Sequence, residues 1–223
     1  GQGDTCPEGT NDGKGWEDIG YSTFSGGRVP ATKLGCGDFF LAGASRVAFL
    51  PGFFLLEKDG HKAGKLLGKG KFLDIALGLG QVTTDKVTTH NYNTMYERYL
   101  QRLRDEEGAV LEIGLGCGMD YGAGKSAELW ARYYSKMHVE FLEKDGECVE
   151  KWKASMDKLK LTVHVGDQLR REVNEQIAQK APPEGYKVII DDGLHSNLAM
   201  RLSLGILWRA LAKGGYFFVE DMG

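Results

Sequence analysis

The chain has 223 residues, room for one α/β domain with a buried core or for a domain plus an extended arm. A hydrophobic share of 42% against 26% charged residues excludes wholesale disorder, and a net charge of -3 offers no basic field that would advertise nucleic acid as a partner. Glycine is the departure: of 32 in all, 18 fall in residues 1–80, which sets a loop-rich front apart from an ordinary back.

Residues 1–45, rich in Gly, Asp, Thr and Ser without periodicity, read as an irregular arm laid over a surface or a protein partner. The chain opens on Gly1 with no visible signal peptide, which suggests a processed or incompletely represented N-terminus and a soluble protein, cytoplasmic or organellar. Val47–Leu56 (VAFLPGFFLL) is an apolar run broken by Pro51-Gly52. It is far short of the roughly 20 residues that span a bilayer, so no transmembrane segment is expected. Lys58–Lys71 carries five lysines and reads as a solvated face. Of the four cysteines, Cys6 and Cys36 in the arm are a possible oxidised pair, but four free thiols are the favoured reading. These features suggest an extension over residues 1–80 and a domain over residues 81–223.

Tyr92–Leu103 spaces Tyr92, Met95, Tyr96, Tyr99, Leu100 and Leu103 at helical intervals; such an aromatic stripe is first a core feature. Beyond Gly108 strands and helices alternate. Strands are expected at Ala109–Ile113, His138–Leu142, Leu161–Val165, Tyr186–Ile190 and Tyr216–Val219. Helices are expected at Lys125–Tyr134, Asp145–Leu159, Arg170–Gln179 and Asn197–Ala212. This alternation predicts an α/β, doubly wound, mostly parallel sheet of Rossmann-like form, which binds ligands at the carboxyl ends of its strands.

The first of those ends carries Glu112-Ile113-Gly114-Leu115-Gly116-Cys117-Gly118, where glycines allow a tight turn and close approach of a ligand. A phosphate-cradling loop ending in Gly124-Lys125-Ser126 needs glycine at position 119, where Met119 stands. A dinucleotide loop begun at Gly114 fails at the same residue, and one begun at Gly116 fails at Tyr121. S-adenosylmethionine, which has no pyrophosphate, suits the remaining pattern. Alternating Gly114, Gly116 and Gly118 follow the acidic Glu112. Glu143 ends the second strand in position to accept from ribose hydroxyls, and Asp167 and Gln168 follow the third, where an adenine edge would lie. Asp191, at the end of the fourth strand, is counted with this cofactor-binding set.

Leu111–Gly124, Glu143–Trp152, Val165–Gln168, Ile190–His195 and Gly214–Met222, with Thr84-Asp85-Lys86 and His90-Asn91-Tyr92 upstream, resemble class I S-adenosylmethionine-dependent methyltransferases. The likeness is strongest to fungal and algal methyltransferase-like proteins of the hard-surface-induced type. More distantly, the chain is similar to metal-dependent macrolide-sugar O-methyltransferases. Asp192 and His195 follow one strand and Glu220 and Asp221 the next, so three carboxylates converge beside an imidazole. Spacing alone leaves open whether they bind a hard cation such as Mg²⁺ or only cap helices. The resemblance implies metal ligation by Asp192, Glu220 and Asp221, and a general-base role for His195. The implied reaction is Mg²⁺-assisted transfer of a methyl group to a small-molecule or sugar hydroxyl. The family's sheet normally continues into a helix and an antiparallel hairpin beyond the point where this sequence stops, so either the sequence is part of a longer product, or another chain completes the sheet, or the fold is trimmed. A catalytically inactive subunit of a larger assembly, docked through the arm, is the competing expectation.

Overall fold

The computed structural model describes residues 28–29, 39–40, 44–50, 53–58, 71–80 and 83–222. Expectations for residues 1–27, for the lysines between 59 and 70, and for Cys6 and Cys36 lie outside the described residues. From the N-terminal side, strands β1 (Arg28–Val29) and β2 (Phe39–Phe40) pair with each other. Strands β3 (Ala44–Leu50) and β4 (Phe53–Lys58) form an antiparallel pair, followed by helices α1 (Lys71–Leu77) and α2 (Asn93–Leu100). Then come β5 (Gly108–Ile113), α3 (Lys125–Tyr133), β6 (Met137–Glu143), α4 (Gly146–Lys158) and β7 (Thr162–Val165). The series closes with α5 (Arg171–Lys180), β8 (Tyr186–Asp191), α6 (Asn197–Leu207) and β9 (Leu211–Val219).

Strands β9, β8, β5, β6 and β7 lie in that order and are parallel. The central strands β5 and β8 are almost continuously apolar because helices cover both faces. Val110, Phe141, Val188, Ile190 and Phe218 point to a core shared with α1, α2 and α3, through Phe72, Tyr96 and Trp130. The alternate residues Leu111, Leu142, Ile189, Phe217 and Val219 meet Ile177 of α5 and Met200, Leu204 and Leu207 of α6. The predicted doubly wound parallel sheet is therefore the observed architecture.

Two elements differ from expectation. The final helix stops at Leu207 and β9 begins at Leu211, so Gly214 and Gly215 lie inside a strand and not before it. The pairing of β9 with β8 changes register between Tyr186 and Val188, an irregularity that glycines accommodate.

The second difference concerns the free edge of β9. β4 pairs antiparallel with β9, from Phe54 opposite Val219 to Glu57 opposite Tyr216, and β3 pairs outside it. The apolar run around Pro51-Gly52 thus supplies two strands of a seven-stranded sheet. Leu55 enters one core and Leu56 the other, both buried. Lys58 donates from Nζ to the carbonyls of Trp208 (3.1 Å) and Leu211 (2.7 Å). The expected division at residue 80 therefore does not separate an arm from the sheet. The antiparallel edge expected after Asp221 is occupied from the N-terminal side. Strand pairing is non-local, and local composition carries no sign of it. No helix among the described residues is long and apolar enough to cross a membrane.

Candidate functional site

Chain order reverses between β5 and β8: β6 and β7 run off one side and β9 off the other. Sheets of this kind open a crevice at that point. Here the crevice is a cavity of about 530 Å³, bounded by the loop after β5, the ends of β6 and β7, and the segments after β8 and β9.

Its floor is the loop Gly114–Gly118. Gly114 has φ +98° and its amide donates to the Leu142 carbonyl (2.8 Å); a Cβ there would collide with the carbonyl oxygen of Asp192. A Cβ on Gly118 would meet nothing within 4 Å, so the loop backbone faces open space. Glu143, at the end of β6, is pinned by two amides, Leu115 N (3.0 Å) and Asp145 N (2.9 Å), and lines the cavity. Gly166, Asp167 and Gln168 follow β7 and line it too. Gln168 is a bridge: Nε2 donates to Asp191 (3.1 Å) and Oε1 accepts from Leu194 N (2.7 Å), which ties the ends of β7 and β8 together.

At the other end stand Asp192, His195 and Asp221, each offering a ligand atom within 4.8 Å of the others. His195 Nε2 lies 4.0 Å from Asp192 Oδ1 and 3.8 Å from Asp221 Oδ2. His195 (φ 56°) and Asp221 (φ 50°) both adopt left-handed backbone, an unfavourable conformation for such residues that clusters at functional sites. Tyr92 Oη donates to Asp221 Oδ1 (2.6 Å), and His90 stacks on the Tyr92 ring with Nε2 3.4 Å from the same oxygen.

Behind this face lies a cation that the sequence reading did not assign. Lys86 sits in the turn Asp85–Val87, fully buried, with Nζ 2.5 Å from Asp192 Oδ2, 2.7 Å from Glu220 Oε2 and 3.2 Å from Glu112 Oε1. Burial alone would push its charge off, but Asp192, Glu112 and Glu220 together hold the ammonium well above its ordinary range. Three carboxylates exceed one lysine, and burial raises Glu112 and Glu220 each to about 7 despite the attraction of Lys86. Burial likewise raises Asp192.

The expected residues thus divide. Gly114, Gly116, Gly118, Glu143, Asp167, Gln168, Asp192, His195 and Asp221 line one cavity. Glu112, Asp191 and Glu220 do not. Glu112 accepts from Trp130 Nε1 and faces Lys86 in the core. Asp191, held above the ordinary carboxylate range by burial, is saturated by Ser203 Oγ, Gln168 and the Gly193 amide. Glu220, expected as a metal ligand, spends one oxygen on Lys86 and the other on the hydroxyl of Tyr96. All three sit one layer beneath the cavity wall, because a carboxylate within or abutting a strand can point into the core as readily as toward its end.

The tyrosine stripe is core, as expected, yet the hydroxyls of Tyr92 and Tyr96 reach the acidic cluster. His138 is exposed beside Thr162 Oγ1 (2.7 Å), whereas His164 is half-buried with Nε2 2.7 Å from Glu140 Oε2. The reading of four free thiols fails for two of them: Cys117 in the glycine loop and Cys148 in the first turn of α4 form a disulfide, with Cα atoms 6.0 Å apart. Their sequence separation of 31 hides that the two segments lie side by side. The signal that could have found Lys86 was its place in the matched segment Thr84-Asp85-Lys86, followed downstream by an excess of carboxylates lacking a cation.

No family model matches the chain. It is 29% identical over 135 residues to mycinamicin VI 2''-O-methyltransferase of Micromonospora griseorubida, a match covering 60% of this chain and 32% of that protein. It is 31% identical over 137 residues to L-olivosyl-oleandolide 3-O-methyltransferase of Streptomyces antibioticus, covering 59% and 32%. The MycE methyltransferase of the mycinamycin biosynthetic pathway, solved in complex with Mg and SAH, superposes with TM-score 0.58 at 26% identity, over 70% of this chain and 38% of MycE. The chain spans about a third of the length of the curated relatives it matches. It has the class I S-adenosylmethionine-dependent methyltransferase fold and is related to the macrolide-sugar O-methyltransferases.

Proposed function

We propose that the chain binds S-adenosylmethionine at the switch point of its sheet and transfers the methyl group to a hydroxyl of a small molecule or sugar, with Mg²⁺ assistance. One observation carries this reading. A single cavity is bounded at one end by the glycine loop and the pinned carboxylate of Glu143, and at the other by Asp192, His195 and Asp221. Within the class we read the chain as nearest the fungal and algal methyltransferase-like group, on the motifs of residues 84–97 and 111–222.

The cofactor half needs hydrogen-bond acceptors and room, not positive charge. Glu143 keeps acceptor capacity on both oxygens beyond the two amides that fix it, and Asp167 lies across the mouth. Two carboxylates of the other half, Asp192 Oδ1 and Asp221 Oδ2, fit a hard divalent ion that keeps waters or substrate oxygens for the rest of its shell. Bound S-adenosylmethionine supplies an electrophilic methyl, and bound Mg²⁺ supplies Lewis acidity toward the acceptor oxygen. His195 takes the acceptor proton at Nε2, which lies 4.0 Å from Asp192 Oδ1 and 3.8 Å from Asp221 Oδ2. Lys86 and Tyr92 hold those carboxylates in place from behind.

Calorimetric titration with S-adenosylmethionine, with and without Mg²⁺, tests the reading; absence of binding in both conditions overturns it. His195→Ala is expected to leave that binding intact while lowering methyl transfer by about 10²–10⁴-fold. Full transfer by this variant removes His195 from the base role.

A further inference from the structure

We propose that Cys117 and Cys148 are a reversible thiol–disulfide site, which fixes the glycine loop to α4 when oxidised and releases it when reduced. The affinity readout below rests on the cofactor reading above; the exchange readout does not.

The loop carries few side chains that could anchor it. Leu115 is buried, but of the next three residues only Cys117 has a side chain. A Cβ on Gly116 would meet only Met119, and one on Gly118 would meet nothing. Backbone bonds close the loop on itself, from Met119 N to Gly116 O (3.1 Å) and from Gly122 N to Met119 O (2.9 Å). Those bonds do not join its outer half to the neighbouring wall of the cavity. The disulfide does. Cys148 stands in the first turn of α4, where its amide is held by the Asp145 cap (3.0 Å), three residues from that cap and five from Glu143. Leu115 N already ties the root of the loop to Glu143 (3.0 Å), so oxidation adds a second tie, between the outer half of the loop and the start of α4, beside Glu143 and Asp145, both of which line the cofactor cavity.

The bond is also reachable. Both cysteines are only partly buried, and they line a second, shallower groove with Met119, Lys151 and Trp152. That groove leaves room for a small dithiol. In the exchange, one reductant thiolate attacks a sulfur of the pair, the Cys117–Cys148 bond breaks and a mixed disulfide forms. The second reductant thiol then displaces the protein sulfur. The protein gains two electrons and two protons as two thiols, and the reductant leaves as its own disulfide.

The test uses the full chain incubated with oxidised glutathione or with reduced dithiothreitol. Peptide mapping should recover a Cys117–Cys148 linked peptide from the first and two alkylated peptides from the second. Amide hydrogen exchange across residues 115–124 should quicken on reduction while β5 and β8 stay protected. S-adenosylhomocysteine affinity should fall by about tenfold, because the loop must then be ordered on binding. Cys148→Ser should match the reduced protein in exchange and affinity, and reoxidation of the wild type should restore the original values. The proposal is overturned if no linked peptide forms under the oxidised reagent, or if both forms exchange alike. It is also overturned if they bind S-adenosylhomocysteine equally. If neither form binds S-adenosylhomocysteine, the cofactor reading is what fails, and the exchange comparison still decides the clamp.

Discussion

Lys86 places one charge against three carboxylates, and each of them belongs to a different strand end: Glu112 to β5, Asp192 to β8, Glu220 to β9. Replacing it with methionine leaves those acids facing one another in the core. Lys86→Met should therefore cost about 3–5 kcal/mol of folding stability, read as a lower urea midpoint. An unchanged midpoint would show that the ammonium is dispensable. The same cluster gives a signed pH dependence. Glu220 is held at about 7 against an ordinary 4.5, so between those values the folded chain keeps a proton that the unfolded chain has lost. Its contribution is fully present below pH 4.5 and is lost as pH rises through 7, at up to about 1.4 kcal/mol per pH unit. Measured in chelator at pH 5 and pH 8, Glu220→Gln should gain on the wild type at the higher value; a constant gap would contradict the assignment. Little of this could be read from residue types. The acids that follow strands announce a site, but whether each faces the cavity or the core depends on side-chain direction. The balancing lysine lies 106 residues before Asp192.

At the scale of elements, the five parallel strands were legible because each is a short, mostly apolar run bounded by glycine, proline or charge, and all but the edge strand β7 are buried along most of their length. The pairing of β4 was not. Val47–Leu56 gave an apolar run of the wrong length for a membrane and no indication of its neighbour, since a strand's partner is set by the whole fold. The burial of Leu55 and Leu56 in opposite cores makes β4 a structural member and not an ornament of the edge. Leu56→Ala should destabilise the chain by about 2–5 kcal/mol, the range of large-to-small substitutions in a packed core. A loss below about 0.5 kcal/mol in chemical denaturation would mean that β4 does not pack where the sheet has it.

For the molecule as a whole, the boundary suggested by glycine content and the one drawn by hydrogen bonding differ. A chain beginning at residue 81 would keep every cavity-lining residue yet expose β9 as an unpaired edge bearing Phe217, Phe218 and Val219. Such an edge recruits other strands. Light scattering should find this truncation associated at concentrations where the full chain is not; two matching monomers would remove the stabilising role of β4.

The reach of that pairing has a further consequence in time. β4 is synthesised before β9, and Leu211 comes 153 residues after Lys58, so all of these must follow before its partner exists. At the usual pace of translation, about 5–20 residues per second, this is a wait on the order of ten to thirty seconds. Throughout it Leu55 and Leu56 have no sheet to join. A nascent chain halted between β4 and β9 should thus be a client for whatever shields apolar strands at the ribosome.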